Sequence, residues 1–234
     1  MLREKNANEG GCSMDRKNQT LEHVDNSFYS KSNFGAKGWL LIIFVGLMLY
    51  VCTALTNDGM NIAVPSIAAE KGWDYATILA YSTPAGFISV IAFFFLTLLA
   101  DKKGAKFVTV ISVIATGLST IWFGNATSRL QYFIALTCVS VFAQSCAWIG
   151  GGAYLTMWFP KKKGLALGWA TMGNNLASAT IVPILSGLIV LTGTFAMTTV
   201  ILGIVIILMV IFCFFIPNRP EEAGATPDNL PMQQ

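Results

Sequence analysis

The stretch "TMWFPKKKGLALGWATMGNN", residues 156–175, sets three consecutive lysines between two long apolar runs. Pro160, just before the lysines, cannot continue a helix's hydrogen bonding, and lysine is among the residues least often buried. An apolar chain that breaks itself with charge and then resumes reads as two membrane-crossing helices joined at the membrane edge.

The composition around this turn supports that reading. Of the 234 residues, 54% are hydrophobic and only 12% are charged. A soluble domain carries about a quarter charged residues, and the mean hydropathy of +0.61 points the same way. The net charge of +3 is too small to argue for a nucleic-acid partner. Cys52, Cys138, Cys146 and Cys213 lie in apolar runs, whereas Cys12 and the sole histidine, His23, lie in the polar start. With no CxxC pair and no Cys/His ligand spacing, buried cysteines in a bundle are expected, and neither a metal nor a cofactor.

A spanning helix needs roughly 17–25 mostly apolar residues. Six windows qualify, 38–56, 77–100, 107–124, 131–158, 165–192 and 196–216, and none contains Asp, Glu, Lys, Arg or His. The third and sixth are rich in Ile and Val. Their length and lack of alternating polarity argue against a membrane barrel, and in lipid a helix satisfies its own backbone. The fold class expected is therefore an all-α membrane protein with six transmembrane helices. Residues 1–37 are expected to be a flexible polar tail, 38–217 the bundle, and 218–234 the start of a loop. No short signal-peptide region precedes the first span.

Alternating crossings place thirteen of the fifteen Lys and Arg residues on one side, in the tail, the 101–106 loop, the 161–164 loop and the C-terminal segment; Lys71 and Arg129 lie on the other. The positive-inside rule then predicts cytoplasmic termini in the cytoplasmic membrane. Lys161, Lys162 and Lys163 become anchors for a short cytoplasmic turn, each worth about 1 kcal/mol beside an anionic leaflet.

The same loops carry a pattern. "TLLADKKGAK", residues 97–106, resembles the loop after the second helix in the major facilitator superfamily. Asp101, Lys102, Gly104 and Lys106 match the signature; Thr97 and Ala105 depart from it. The resemblance implies that this loop helps latch a cytoplasmic gate. "WFPKKKGLALG" and "AAEKGWDYATI" resemble segments of the oxalate/formate antiporter and monocarboxylate porter branches. "NDGMNIAVPSI", residues 57–67, resembles the first helix of the anion:cation symporters, with Asp58 and Asn61 matching and Gly59 where the anion-binding arginine would be. The family's members have twelve helices in two six-helix halves around a central cavity, each half made of two inverted three-helix repeats. The likeness covers about residues 38–230, half the usual length. It implies either the N-terminal half of a transporter or a half-size protein that pairs with another half or with itself.

Composition would end the first span near Thr56, whereas the family pattern extends helix one to about Pro65. On the longer reading Asp58 enters the outer half of the membrane, where a charge is a functional candidate; on the shorter it marks an outer loop. In span four Gln144, Trp148 and Tyr154 are candidate substrate contacts, because helices one and four line the family's cavity; packing is the plainer alternative. Gly150, Gly151 and Gly152 are expected to let helices approach closely. Gly164 and Gly168 form a GxxxG pair that reads as helix packing, and Pro183 suggests a kink. Asn174 and Asn175 point about 100° apart on a helix, so at least one should face the bundle or the cavity.

Apart from Asp58 these spans hold no ionisable residue, so this half has no cation with which to grip an anion. The function expected is secondary transport of a small organic solute through the lipid bilayer by alternating access. An organic anion such as a carboxylate comes first, with its charge read by the other half. A drug or metabolite exporter, or a non-transporting six-helix subunit, are the alternatives. No enzyme is expected, since no His/Asp/Glu/Cys cluster lies at either membrane surface.

Overall fold

The computed structural model describes residues 34–215; of the tail expected at 1–37 only the last four residues fall within them, and the loop expected at 218–234 lies outside. Six helices long and apolar enough to cross a membrane make up this region: α1 (Gly35–Lys71), α2 (Tyr75–Lys103), α3 (Ala105–Gly124), α4 (Arg129–Trp158), α5 (Lys163–Thr192) and α6 (Phe195–Phe215). All six expected spans are present. At 1.5 Å per residue even the shortest reaches about 30 Å, the thickness of a bilayer's hydrocarbon core.

The largest discrepancy lies in α1. Where composition stops at Thr56, the chain remains helical to Lys71 after a break at residues 57–59. The backbone N–H groups of Asn57 and Asp58 both donate to the Thr53 carbonyl, at 3.0 and 3.2 Å. The ladder therefore slips by one residue before Ala63 N–H restores the helical spacing on the Gly59 carbonyl at 2.9 Å. A polar Asn-Asp-Gly sequence ends an apolar window without ending a helix. Elsewhere α5 is interrupted at Thr171 and runs as one helix through Pro183, and α4 widens into a π-helical segment over Ser145–Gly152.

The principal pairings are α1 with α5, α2 with α4, α3 with α4 and α3 with α6, while α1 and α4 meet at the centre. Apart from α3 with α4, exchanging the first three helices with the last three maps this set onto itself, in keeping with two three-helix repeats. Side-chain caps alternate too. The starts of α2, α4 and α6 are capped by Asp74, Ser128 and Thr194, whereas those of α1, α3 and α5 have none. The Thr77 hydroxyl and then the Thr77 N–H, both donating to Asp74, hold its carboxyl below the usual carboxylate range. Glu70 at the end of α1 accepts a hydrogen bond from the N–H of Phe195 at 2.9 Å, tying α1 to the first turn of α6.

Without a hydrophobic drive between helices in lipid, close packing holds the bundle. Gly117 of α3 faces Gly203 of α6, and a Cβ added to either would come within 2.7 Å of the other's carbonyl oxygen. Gly46 of α1 and Gly173 of α5 form a second crossing, where a Cβ on Gly173 would overlap the Gly46 carbonyl. In span four the expectation holds for Gly150 and Gly151, which face Thr109 and Val45, but Gly152 has open space beside it. The GxxxG expectation is corrected: a Cβ at Gly164 or Gly168 meets nothing within 4 Å, because both glycines face away from the neighbouring helices. Cys52, Cys146 and Cys213 are buried and Cys138 is half-buried, with the Cys146 Sγ 2.9 Å from the Met48 Sδ.

Candidate functional site

On the α1–α5 face two pairs of polar side chains meet across the helices. Close approach at Gly46 and Gly173 brings the later turns of these helices side by side. The Tyr50 hydroxyl then lies 3.0 Å from Thr180 Oγ1. Further along, Ser178 donates to Asp58 Oδ2 at 2.6 Å. Charge-assisted O–H···O⁻ bonds are short and about twice as strong as neutral ones, so this contact fixes the Asp58 carboxylate at the break in α1.

Beside this row lies a groove of about 610 Å³ between α1 and α5, lined by Trp39, Tyr50, Trp169 and Asn175 among apolar neighbours. The two indoles meet edge to face, 5.4 Å between ring centres. Such a volume falls within the range for small-molecule sites, about 300–1,000 Å³. Its polar groups are neutral: an amide, indole N–H groups, and a phenol that already donates its hydrogen bond to Thr180. They suit hydroxyl and other uncharged polar parts of a solute.

The other expected contacts scatter. Asp58 is half-buried, and Asn61 is exposed one turn beyond it. Asn174 is exposed outside the groove, whereas its neighbour Asn175 lines it. Gln144 is half-buried on α4 and Trp148 is half exposed in the π-helical segment. Tyr154 departs most from the role of a cavity contact. It is buried in the core with Leu41, Val45 and Trp158, just after the π-helical segment. Sequence reasoning missed Tyr50, Ser178 and Thr180, single hydroxyls in apolar runs whose partners lie 120 or more residues away.

The loop residues stand at the end of the bundle that carries the lysines. Asp101 and Lys102 are exposed in the last turn of α2, and Lys106 is half-buried in the first turn of α3. Between them Gly104 has φ +93° and ψ 144°, a conformation open to glycine and hardly any other residue. This is the physical reason for a glycine at that place in the pattern. Pro160–Lys162 form the turn of the opening stretch, and Lys163 begins α5.

Six apolar helices, with a solute-sized groove between the first and fifth, define a polytopic membrane protein. The family comparison is specific: residues 46–231 match the Major Facilitator Superfamily, and the chain belongs to that superfamily. It is similar to the "Probable hexose phosphate transport protein" of Chlamydia trachomatis, 26% identical over 64% of this chain and 33% of that protein. It is also similar to the "Membrane sensor protein UhpC" of Escherichia coli, 28% identical over 79% of this chain and 42% of that one. A third relative is the "Glucose-6-phosphate exchanger SLC37A2" of Xenopus laevis, 27% identical over 77% of this chain and 38% of the other. The chain thus spans a third to two fifths of the length of these relatives. The names of the first and third concern hexose phosphate and glucose 6-phosphate, so these relatives support the superfamily and not the carboxylate branches in particular.

Proposed function

We propose that the chain forms the first six-helix half of a secondary carrier for a small organic anion, working by alternating access against a second six-helix half. The single observation that carries this reading is the α1–α5 groove, with Tyr50 and Asn175 in its wall and Asp58 locked to Ser178 beside it. The groove holds hydrogen-bonding groups and no cation, so this half grips the hydroxylated part of the solute and the other half reads the charge. The names of the relatives favour an organophosphate over the carboxylate expected from sequence. Exchange of radiolabelled glucose 6-phosphate, with oxalate as the competitor class, tests this in proteoliposomes holding the chain together with its second half. Asn175→Ala removes a solute hydrogen bond worth about 0.5–1.5 kcal/mol, so half-saturation should rise roughly two- to twelvefold with folding unchanged. An unchanged value would remove the groove from the site, and exchange of oxalate alone would restore the carboxylate assignment.

A second reading is solute sensing without net transport, favoured by the similarity to UhpC over most of this chain. Binding of glucose 6-phosphate without exchange in the same proteoliposomes would select it.

The sidedness proposed is cytoplasmic for both termini, from the lysine-rich turns. Replacing Lys161, Lys162 and Lys163 with glutamine removes about 3 kcal/mol of leaflet attraction at about 1 kcal/mol per lysine. The expected result is a mixed orientation of tagged termini with solute preference retained. Unchanged topology with altered preference would make the turn a solute-reading element instead.

A further inference from the structure

A second cavity, of about 120 Å³, is enclosed by α1, α3, α4, α5 and α6. Its wall includes Ala54, Ala63, Phe123, Leu136, Leu202 and Val205, and it is separate from the groove except that Tyr50 borders both. The two wall residues with hydroxyls have already used them. Tyr50 is bonded to Thr180, and Thr199 donates to the Ala196 carbonyl at 2.7 Å. A buried water needs two to four polar partners, and an apolar cavity of about 150 Å³ stays dry and takes a benzene-sized molecule. Water is therefore a poor occupant here.

The nature of the occupant follows from where the wall is thin. Ala63, Phe123 and Leu136 are buried deep in the bundle, but Val205 lines the cavity while 52% exposed. Val205 belongs to an exposed stripe on α6 with Ile201, Ile204 and Leu208, at spacings that form one aliphatic helix face. No polar group stands on that stripe, so its surroundings are hydrocarbon. Val205 is therefore the place where the cavity wall meets the acyl chains of the bilayer, the most abundant apolar molecules within reach.

We propose that this cavity is a lipid site, which takes the terminal carbons of a phospholipid acyl chain entering past Val205. The site borders Gly59 and Met60 at the break in α1 and Met209 at the interruption of α6. A chain end lodged there packs against both helices where their regular spacing is interrupted.

The test places the 234-residue chain in bilayers of phosphatidylethanolamine and phosphatidylglycerol. A phospholipid with a diazirine near the end of one acyl chain is added, and the labelled residues are mapped after irradiation. Labelling is expected at buried Phe123 and Leu136 as well as on the exposed stripe. Ala54→Leu, or Val51→Phe as an independent filling, should reduce the buried labelling more than about tenfold, since two or more methylenes lose their place. Labelling of Ile204 should stay constant and reports that the bundle is intact. Labelling confined to the exposed stripe in the unsubstituted chain would overturn the proposal. So would buried labelling that survives both fillings.

Discussion

Leucine in place of Gly173 is expected to detach α5 from α1 and to lower the yield of folded protein by at least about tenfold, the equivalent of 1.4 kcal/mol. A Cβ on Gly173 would overlap the carbonyl oxygen of Gly46 and stand 2.6 Å from its carbon. Flexible side chains yield to such a contact, but the obstacle here is backbone. Overpacking a core costs about 1–3 kcal/mol when side chains can shift, and the helices must separate when they cannot. Separation also breaks the Tyr50–Thr180 and Asp58–Ser178 contacts, which depend on the same crossing. Gly168→Leu is the control on the same helix, because a Cβ there meets nothing within 4 Å. Size-exclusion of a fluorescent fusion in mild detergent reads both variants. Equal recovery of the two would mean that the α1–α5 approach is not what seats α5.

This pair of glycines also shows what the sequence makes legible. The absence of charge over some twenty residues identifies a spanning helix whatever its neighbours, so all six helices are readable. Which face of a helix meets another helix is not written in composition. Gly164 and Gly168 have the spacing of a packing motif and face open space, whereas Gly46 and Gly173 belong to no motif and touch. Local rules also miss the break in α1. The polar residues 57–59 resemble the end of a span, yet Thr53 accepts from both Asn57 and Asp58 and the helix resumes. Of the candidate site, Asp58 was legible as a charge beside an apolar run. Its partner Ser178 was not, since a serine in a long apolar helix gives no sign of where it points. The adjacent asparagines fall between these cases. Geometry alone required one of them to face the bundle or a cavity, and the α1–α5 packing turns Asn175 into the groove and leaves Asn174 outside it.

Arginine at position 59 is expected to abolish the fold of α1 rather than to supply the missing anion reader. Gly59 occupies the place of the anion-binding arginine in the pattern that residues 57–67 resemble, which makes the substitution an obvious restoration. The structure argues against it. Gly59 is buried, and a Cβ there would overlap the carbonyl of Ala54 and press on the Leu185 Cδ1 at 3.3 Å. The slipped ladder at Thr53 draws the chain too close for any side chain, so the break in α1 and an arginine at 59 are alternatives. The guanidinium would also arrive at the wall of an apolar cavity, where no group stands to pair it. An unpaired charge removed from water costs several kcal/mol, enough to reduce folded protein more than a hundredfold. Ser178→Arg gives the contrast, since it introduces the same charge at an exposed position beside Asp58 and keeps Gly59. That variant should fold. If Gly59→Arg instead folds and binds glucose 6-phosphate, the break in α1 is not fixed, and this half has room to read charge by itself. If it is lost while Ser178→Arg survives, the positive charge that an anionic solute needs is excluded from this turn of α1 by the backbone, and the requirement passes to the second half.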